Sequence, residues 1–269
     1  MKTTARLAAH HITLDLPLFL QEDRGGRSWL SSLFSAAFDP PRREFRRVLD
    51  DISFEANEGD RIGIVGRNGA GKSTLLRVLT GAYCPTSGWM DEVGSKQALL
   101  NISLGFNGEA TVRENIYLRG MAMGLRTAQL NDLVEPVLDF AELADKSNHR
   151  LRTLSSGQRM RLGFAIATAV QHDIMVMDEW IGAGDAGFIQ KARDRMRSRV
   201  NGAKIVILAS HNFGLMKDVC NKGLLLDQGR LVQAGPIKET LKAYEDLLKA
   251  HSAMQAGQSA EAGASTSGG

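Results

Sequence analysis

The stretch "RIGIVGRNGAGKST" (61–74) constrains this chain more than any other. A short apolar run ends in a loop with three glycines. The loop ends on Lys-Ser-Thr, where the helical pattern "KSTLLRVLTGA" (72–82) begins. A strand before the loop and a helix after it are the context that gives such a pattern weight. Gly66, Gly69 and Gly71 let the backbone fold tightly, so that N–H groups along Gly66, Arg67, Asn68, Gly69, Ala70 and Gly71 can point at phosphate oxygens. The helix N-terminus adds a favourable field for an anion. Lys72 can bridge β- and γ-phosphates, Ser73 can give a hydroxyl ligand to Mg²⁺, and Thr74 can hydrogen-bond a further phosphate oxygen. The loop alone implies a nucleoside triphosphate and no particular reaction.

Two further apolar runs, "DIMVMDEW" (173–180) and "AKIVILASHN" (203–212), carry polar residues at their C-terminal ends. Short continuous apolar strands of this kind belong to parallel sheets covered on both faces, so the fold class is α/β. In such sheets ligands bind outside the carboxyl ends of the strands. Asp178 is then placed to hold Mg²⁺ through water, and Glu179 to act as general base on an attacking water. Neighbouring strand residues point to opposite sides, so the two carboxylates serve different roles. His211, with Ser210 and Asn212, emerges at the same edge and can reach a γ-phosphate. "VLDDISFEANEGDRIGIVG" (48–66) reads as two strands about a turn at Asn57–Asp60, residues 5–20 as a strand, 223–235 as a terminal hairpin and 236–250 as a helix.

The chain of 269 residues is long enough for one large α/β domain, and its 43% hydrophobic content allows a sizeable core. A net charge of +3 is too small to argue for a nucleic-acid partner. Two cysteines, Cys84 and Cys220, suit a reducing compartment better than a disulfide scaffold. The start "MKTTARLAAHHITLDL" lacks the apolar core of a secretory signal, and no apolar run approaches the ~18 residues of a membrane span. Any membrane crossing is expected to fall to another chain.

A second anion-directed feature stands in "LRTLSSGQRMRLGFA" (151–165). Ser155 or Ser156 can cap the helix that follows, Gly157 permits close backbone approach, and the helix N-terminus offers N–H groups to a phosphate. The order of phosphate loop, helical region, "LSSGQ" (154–158), acidic strand, "GAGD" and strand-histidine resembles the ATP-binding-cassette (ABC) ATPases. The resemblance covers residues 5 to 245. It implies a P-loop NTPase fold of ABC type, with a RecA-like parallel core, an antiparallel β subdomain and a helical subdomain over about 100–170. It also implies an ATP hydrolase using ATP and Mg²⁺ as a head-to-tail homodimer. There Ser155, Ser156, Gly157 and Gln158 meet the nucleotide held by the partner copy, and Asp185 lies across the interface. "LGFNGEATVRENIYLRG" (104–120), "DEWIGAGDAGF" (178–188) and "SHNFGLMKDVCNKGLLLDQGRLVQAGP" (210–236) are similar to the branch that exports O-antigen, capsule and teichoic acid. That branch works at the cytoplasmic face of the bacterial inner membrane. An integral permease handles the polysaccharide, and nucleic acid has no part. Export of a lipid, drug or peptide, or a soluble regulatory role, are the alternatives.

Two features depart from the family pattern. The usual glutamine after the strand entering the helical region is not evident: Gln97 stands early, and Asn101 and Asn107 are the nearby amides. For the aromatic ring that stacks on adenine, Phe19 is the first candidate and Phe45 the second. Residues 21–47, "QEDRGGRSWLSSLFSAAFDPPRREFRR", form an insert in which Trp29, Leu30, Leu33, Phe34, Ala37 and Phe38 share one helical face. Arginines flank that face, which fits packing on the chain's own sheet, a membrane partner or an anionic membrane surface. The single ABC domain is expected over 1–250. The small, polar segment 251–269 is expected to be a disordered tail.

Overall fold

In the computed structural model, residues 4–19, 43–100, 105–178 and 186–265 are described. Nine strands are assigned among them: β1 (Arg6–Phe19), β2 (Arg43–Asn57), β3 (Arg61–Val65), β4 (Ser87–Val93), β5 (Lys96–Leu99), β6 (Ile174–Asp178), β7 (Ile205–Ala209), β8 (Lys222–Asp227) and β9 (Arg230–Pro236). The helices are α1 (Lys72–Leu79), α2 (Val112–Ala122), α3 (Thr127–Ala141), α4 (Ser156–Ala167), α5 (Ala186–Gly202), α6 (Phe213–Val219) and α7 (Ile237–Ser265).

The main sheet runs in the order β5-β6-β7-β3-β8-β9. Its first five strands are parallel, and β9 turns back antiparallel on β8. Side-chain alternation sorts the buried strands between two cores. Ile174, Val176, Ile205 and Ile207 face a core shared with β1, β2 and α1. Met175, Met177, Val206 and Leu208 face a second core built with α2 to α7. Burial on both faces is why these strands read as unbroken apolar runs. A smaller antiparallel sheet, β2-β1-β4, covers the first core. The turn expected between β2 and β3 closes through Asp60 N–H donating to the Asn57 carbonyl at 2.9 Å, and Asn57 N–H donating to the Asp60 carboxylate at 2.8 Å.

Residues 43–47, read as the basic flank that follows the helical face of the insert, lie in β2. Leu16 pairs with Arg46 and Asp15 with Arg47. Long-range pairing with β1 decides their conformation, which local arginine content does not reveal. Residues 251–265, expected as a disordered tail, continue α7 to Ser265. Ala, Gln and Met in this stretch are strong helix formers, and they prolong a helix already nucleated by packing at Ile237, Leu241 and Tyr244. The apolar face at 29–38 lies outside the described residues.

Candidate functional site

β3, β6 and β7 end in register. Ile64 pairs with Ala209, and Ala209 with Asp178. The loop beginning at Gly66 therefore leaves β3 beside the point where Ser210 and His211 leave β7, with Asp178 one strand further on. Asp178, Ser210 and His211 line one cavity of about 1180 Å³, together with Asn68, Gly69, Gly71, Lys72, Ser73 and Thr74.

The loop's shape depends on its glycines. A Cβ on Gly66 would meet the Leu226 carbonyl oxygen at 2.2 Å, and Gly71 (φ 102°) already lies against Leu49 and the Val48 carbonyl. Lys72 is buried and donates from Nζ to the carbonyls of Gly66 at 2.6 Å and Arg67 at 3.0 Å. Leu75, Leu76, Val78 and Leu79 bury the far side of α1, at about 2 kcal/mol per side chain, which fixes the helix start beneath the loop. Asn212 caps α6 by accepting from Leu215 N–H at 3.0 Å, and Ser210 Oγ accepts from Asn212 N–H at 3.1 Å. This local bonding sets the backbone on either side of His211.

Asp178 and Ser73 are hard oxygen donors on one cavity, a set that suits Mg²⁺, which takes few protein ligands beside phosphate and water. Among the described residues no cluster of three or more His, Cys, Asp or Glu forms a closed metal site.

"LSSGQ" opens α4 as the sequence suggested. Ser155 is the N-cap: its Oγ accepts from Gln158 N–H at 3.2 Å, and Gln158 Oε1 accepts from Ser155 N–H at 3.1 Å. This reciprocal box leaves Ser156 in the first turn and space above Gly157, where an added Cβ would find only Ser155 Oγ at 3.9 Å. None of these residues lines the cavity of the phosphate loop. The two anion-directed features are thus separate surfaces of one chain. Glu179 and Asp185 lie outside the described residues.

The remaining wall comes from residues that sequence reasoning missed. Leu16, Pro17, Arg46, Arg47 and Val48 supply one end, and the β8–β9 turn supplies Gln228 and Gly229. Both turn residues have positive φ, 46° and 81°. Gly229 N–H donates to the Ala70 carbonyl at 3.1 Å, and Asp50 N–H donates to the Gly229 carbonyl at 2.9 Å, so the hairpin braces the phosphate loop against β2. The "LDQGR" turn was visible as a hairpin signal, but its docking on the loop was not. Asp50 joins Arg230 and Arg47, and Arg230 holds its carboxyl below the usual carboxylate range. Arg47 also pairs with Asp15 at 3.0 Å.

Phe19 lies at the end of β1, and its side chain is outside the described set. Phe45 is 65% exposed and is not among the lining residues. Gln97 is buried in β5 and donates from Nε2 to the Ala167 carbonyl, away from the cavity. Asn107 is engaged with Asn115 through its N–H and carbonyl at 2.9 Å each, and Asn101 is outside the described residues.

Residues 49–182 match the family model described as ABC transporter. The chain is 38% identical over 211 residues to a teichoic acids export ATP-binding protein, TagH, of Bacillus anthracis, covering 78% of this chain and 38% of that longer protein. It is 37% identical to TagH of Staphylococcus haemolyticus, covering 75% of this chain and 76% of the relative. It is 40% identical to an O-antigen export system ATP-binding protein, RfbE, of Yersinia enterocolitica, covering 69% and 78%. Two solved structures share the fold. One is an ATP-binding subunit of an ABC transporter, with TM-score 0.63, 21% identity, and 87% of this chain and 90% of that one covered. The other is a dimeric ATP-binding cassette with ADP and phosphate, with TM-score 0.61, 17% identity, and 86% and 98% covered. With this identity spread over most of its length, the chain belongs to the ABC transporter family.

Proposed function

We propose that this chain powers a bacterial exporter that moves a lipid-linked surface polysaccharide through a separate integral-membrane permease. The observation that supports this is a cavity around Lys72 and, apart from it in the same chain, a capped helix start at Ser155–Gln158, both of which we read as phosphate-directed. Each is half of a composite site, which two copies complete head-to-tail. The relatives named for teichoic-acid and O-antigen export support the class of cargo. Among the described residues no helix is long and apolar enough to cross a membrane. The export systems for which the relatives are named support a subunit that works against a permease at the cytoplasmic face of the inner membrane, with the permease holding the glycan.

The loop N–H groups and Lys72 hold the phosphates of ATP, and the buried ammonium exchanges loop carbonyls for phosphate oxygens. Ser73 and Asp178 hold Mg²⁺, which when bound offsets phosphate charge. Glu179 takes a proton from the attacking water, and His211 orients that water and the γ-phosphate. Ser155, Ser156, Gly157 and Gln158 close on the partner copy's ATP, and Asp185 contacts the partner across the interface. Closure drives the permease; release of ADP and phosphate reopens the pair.

Glu179→Gln tests this in the full-length chain and in the native host. ATP binding should stay near wild type, while turnover falls by about a hundredfold or more. One surface polymer should disappear, with its precursor building up inside. Turnover near wild type would remove Glu179 as the base. A hydrolytically dead, well-expressed variant with an unchanged surface-glycan profile would discard polysaccharide as the cargo and leave a lipid, drug or peptide exporter, or a soluble regulator.

A further inference from the structure

We propose that Arg46 holds the nucleobase. Its guanidinium stacks on the base at the end of the cavity away from the phosphate loop, in the place where an aromatic ring was expected. The proposal rests on the cavity being the ATP site.

The geometry of β2 sets the distance. The Val48 carbonyl lies against Gly71 of the phosphate loop. Arg46 is two residues back along the strand, past the bulge that the register marks between Leu49 and Arg47, so it lies within about 7 Å of Val48 and lines the same cavity. That is the scale of the separation a ribose puts between the α-phosphate and its base. Opposite Arg46 in the ladder stands Leu16, followed by Pro17, and all three line the cavity. Among the described lining residues there is no aromatic ring.

The two neighbouring arginines are not equivalent. Arg47 is committed to Asp15 and Asp50 at 3.0 and 3.2 Å. Arg46 has no such ion pair among the described residues, and its side chain is exposed at the cavity wall. A guanidinium is planar and weakly hydrated, so it stacks on π-faces where an ammonium does not. Stacking of this kind is tolerant of base identity, because every base offers a π-face. Leu16 and Pro17 add apolar surface and no polar side-chain group to read a base edge. The site therefore selects for the presence of a base and holds ATP and GTP nearly alike.

The test is calorimetric binding to the full chain with Mg²⁺. The probes are the non-hydrolysable analogues AMPPNP and GMPPNP, with inorganic tripolyphosphate as the baseless competitor. The wild type should bind the two analogues within a fewfold of each other. Arg46→Ala should weaken both by about fivefold and leave tripolyphosphate unchanged. Arg46→Tyr should restore them, and Arg46→Lys should not, because it keeps the charge without the plane. An equal loss for tripolyphosphate, or full rescue by lysine, would make Arg46 a phosphate-attracting charge and overturn the proposal. Unchanged AMPPNP binding in Arg46→Ala would overturn it too. Failure of the wild type itself to bind AMPPNP would instead remove the assignment of the cavity to ATP.

Discussion

Lys72 Nζ lies 2.6 Å from the Gly66 carbonyl oxygen, so the ammonium reaches back across the loop that precedes it. With a second carbonyl at 3.0 Å, from Arg67, the charge is held inside the loop and aimed at its concave side. Lys72→Ala should lower nucleotide affinity by about ten- to a hundredfold, the scale of one lost charge-assisted phosphate contact. The circular-dichroism spectrum should be unchanged, and calorimetric titration with AMPPNP measures the affinity. Affinity near wild type would show that backbone N–H groups alone hold the phosphates.

Ser155 and Ser156 separate a structural role from a functional one. Ser155 caps α4 reciprocally with Gln158, so Ser155→Ala should cost about 1 kcal/mol in urea unfolding. Ser156 sits in the first turn with no such cap to lose, so Ser156→Ala should stay within about 0.5 kcal/mol. If both hydroxyls also meet the partner copy's nucleotide, both variants should lose more than about tenfold in steady-state hydrolysis. Loss in Ser155→Ala alone would trace the effect to the cap.

How much could be read in advance differs by element for physical reasons. The phosphate loop was legible because glycine spacing, a buried strand and a helix start are all local signals. β6 and β7 were legible because burial on both faces leaves an unbroken apolar run. Arg46 and Arg47 were not, since their conformation comes from pairing with β1 some thirty positions earlier. The docking of Gly229 on Ala70 and Asp50 is likewise a long-range contact with no local mark. Residues 251–265 combine a small, polar composition with good helix formers, and the sequence reading weighed the first over the second.

The two cysteines should differ sharply in reactivity. Cys84 is exposed and Cys220 buried, and burial pushes the Cys220 thiol up to about 12. It packs beneath Gly63, where an added Cβ would stand 3.3 Å from its sulfur. A thiol-disulfide reagent at pH 8 should label only Cys84 in the native chain and both thiols in denaturant. Fast native labelling of Cys220 would show that the core beside α6 opens readily.

Asp173 gives a pH dependence with a definite sign. It accepts from Ser95 N–H and Ser95 Oγ at 2.9 Å each, and pairs with Lys204 at 3.0 Å, so one carboxylate ties the start of β5 to β6 and β7. The Ser95 backbone bond, then Lys204 and the Ser95 hydroxyl, hold its pKa down at about 2, against 3.8 when unperturbed. A depressed folded value stabilises the chain above the unfolded value, and that stabilisation is lost as pH falls through about 2. The site is partly solvated, so the contribution is discounted to about 1 kcal/mol. Asp173→Asn should therefore be less stable than wild type by about 1 kcal/mol at pH 7 and at pH 5. By pH 3 the gap should shrink to about half. Urea unfolding at the three pH values measures it. A gap undiminished at pH 3 would show that the tie depends on the shape of the side chain and not on its charge.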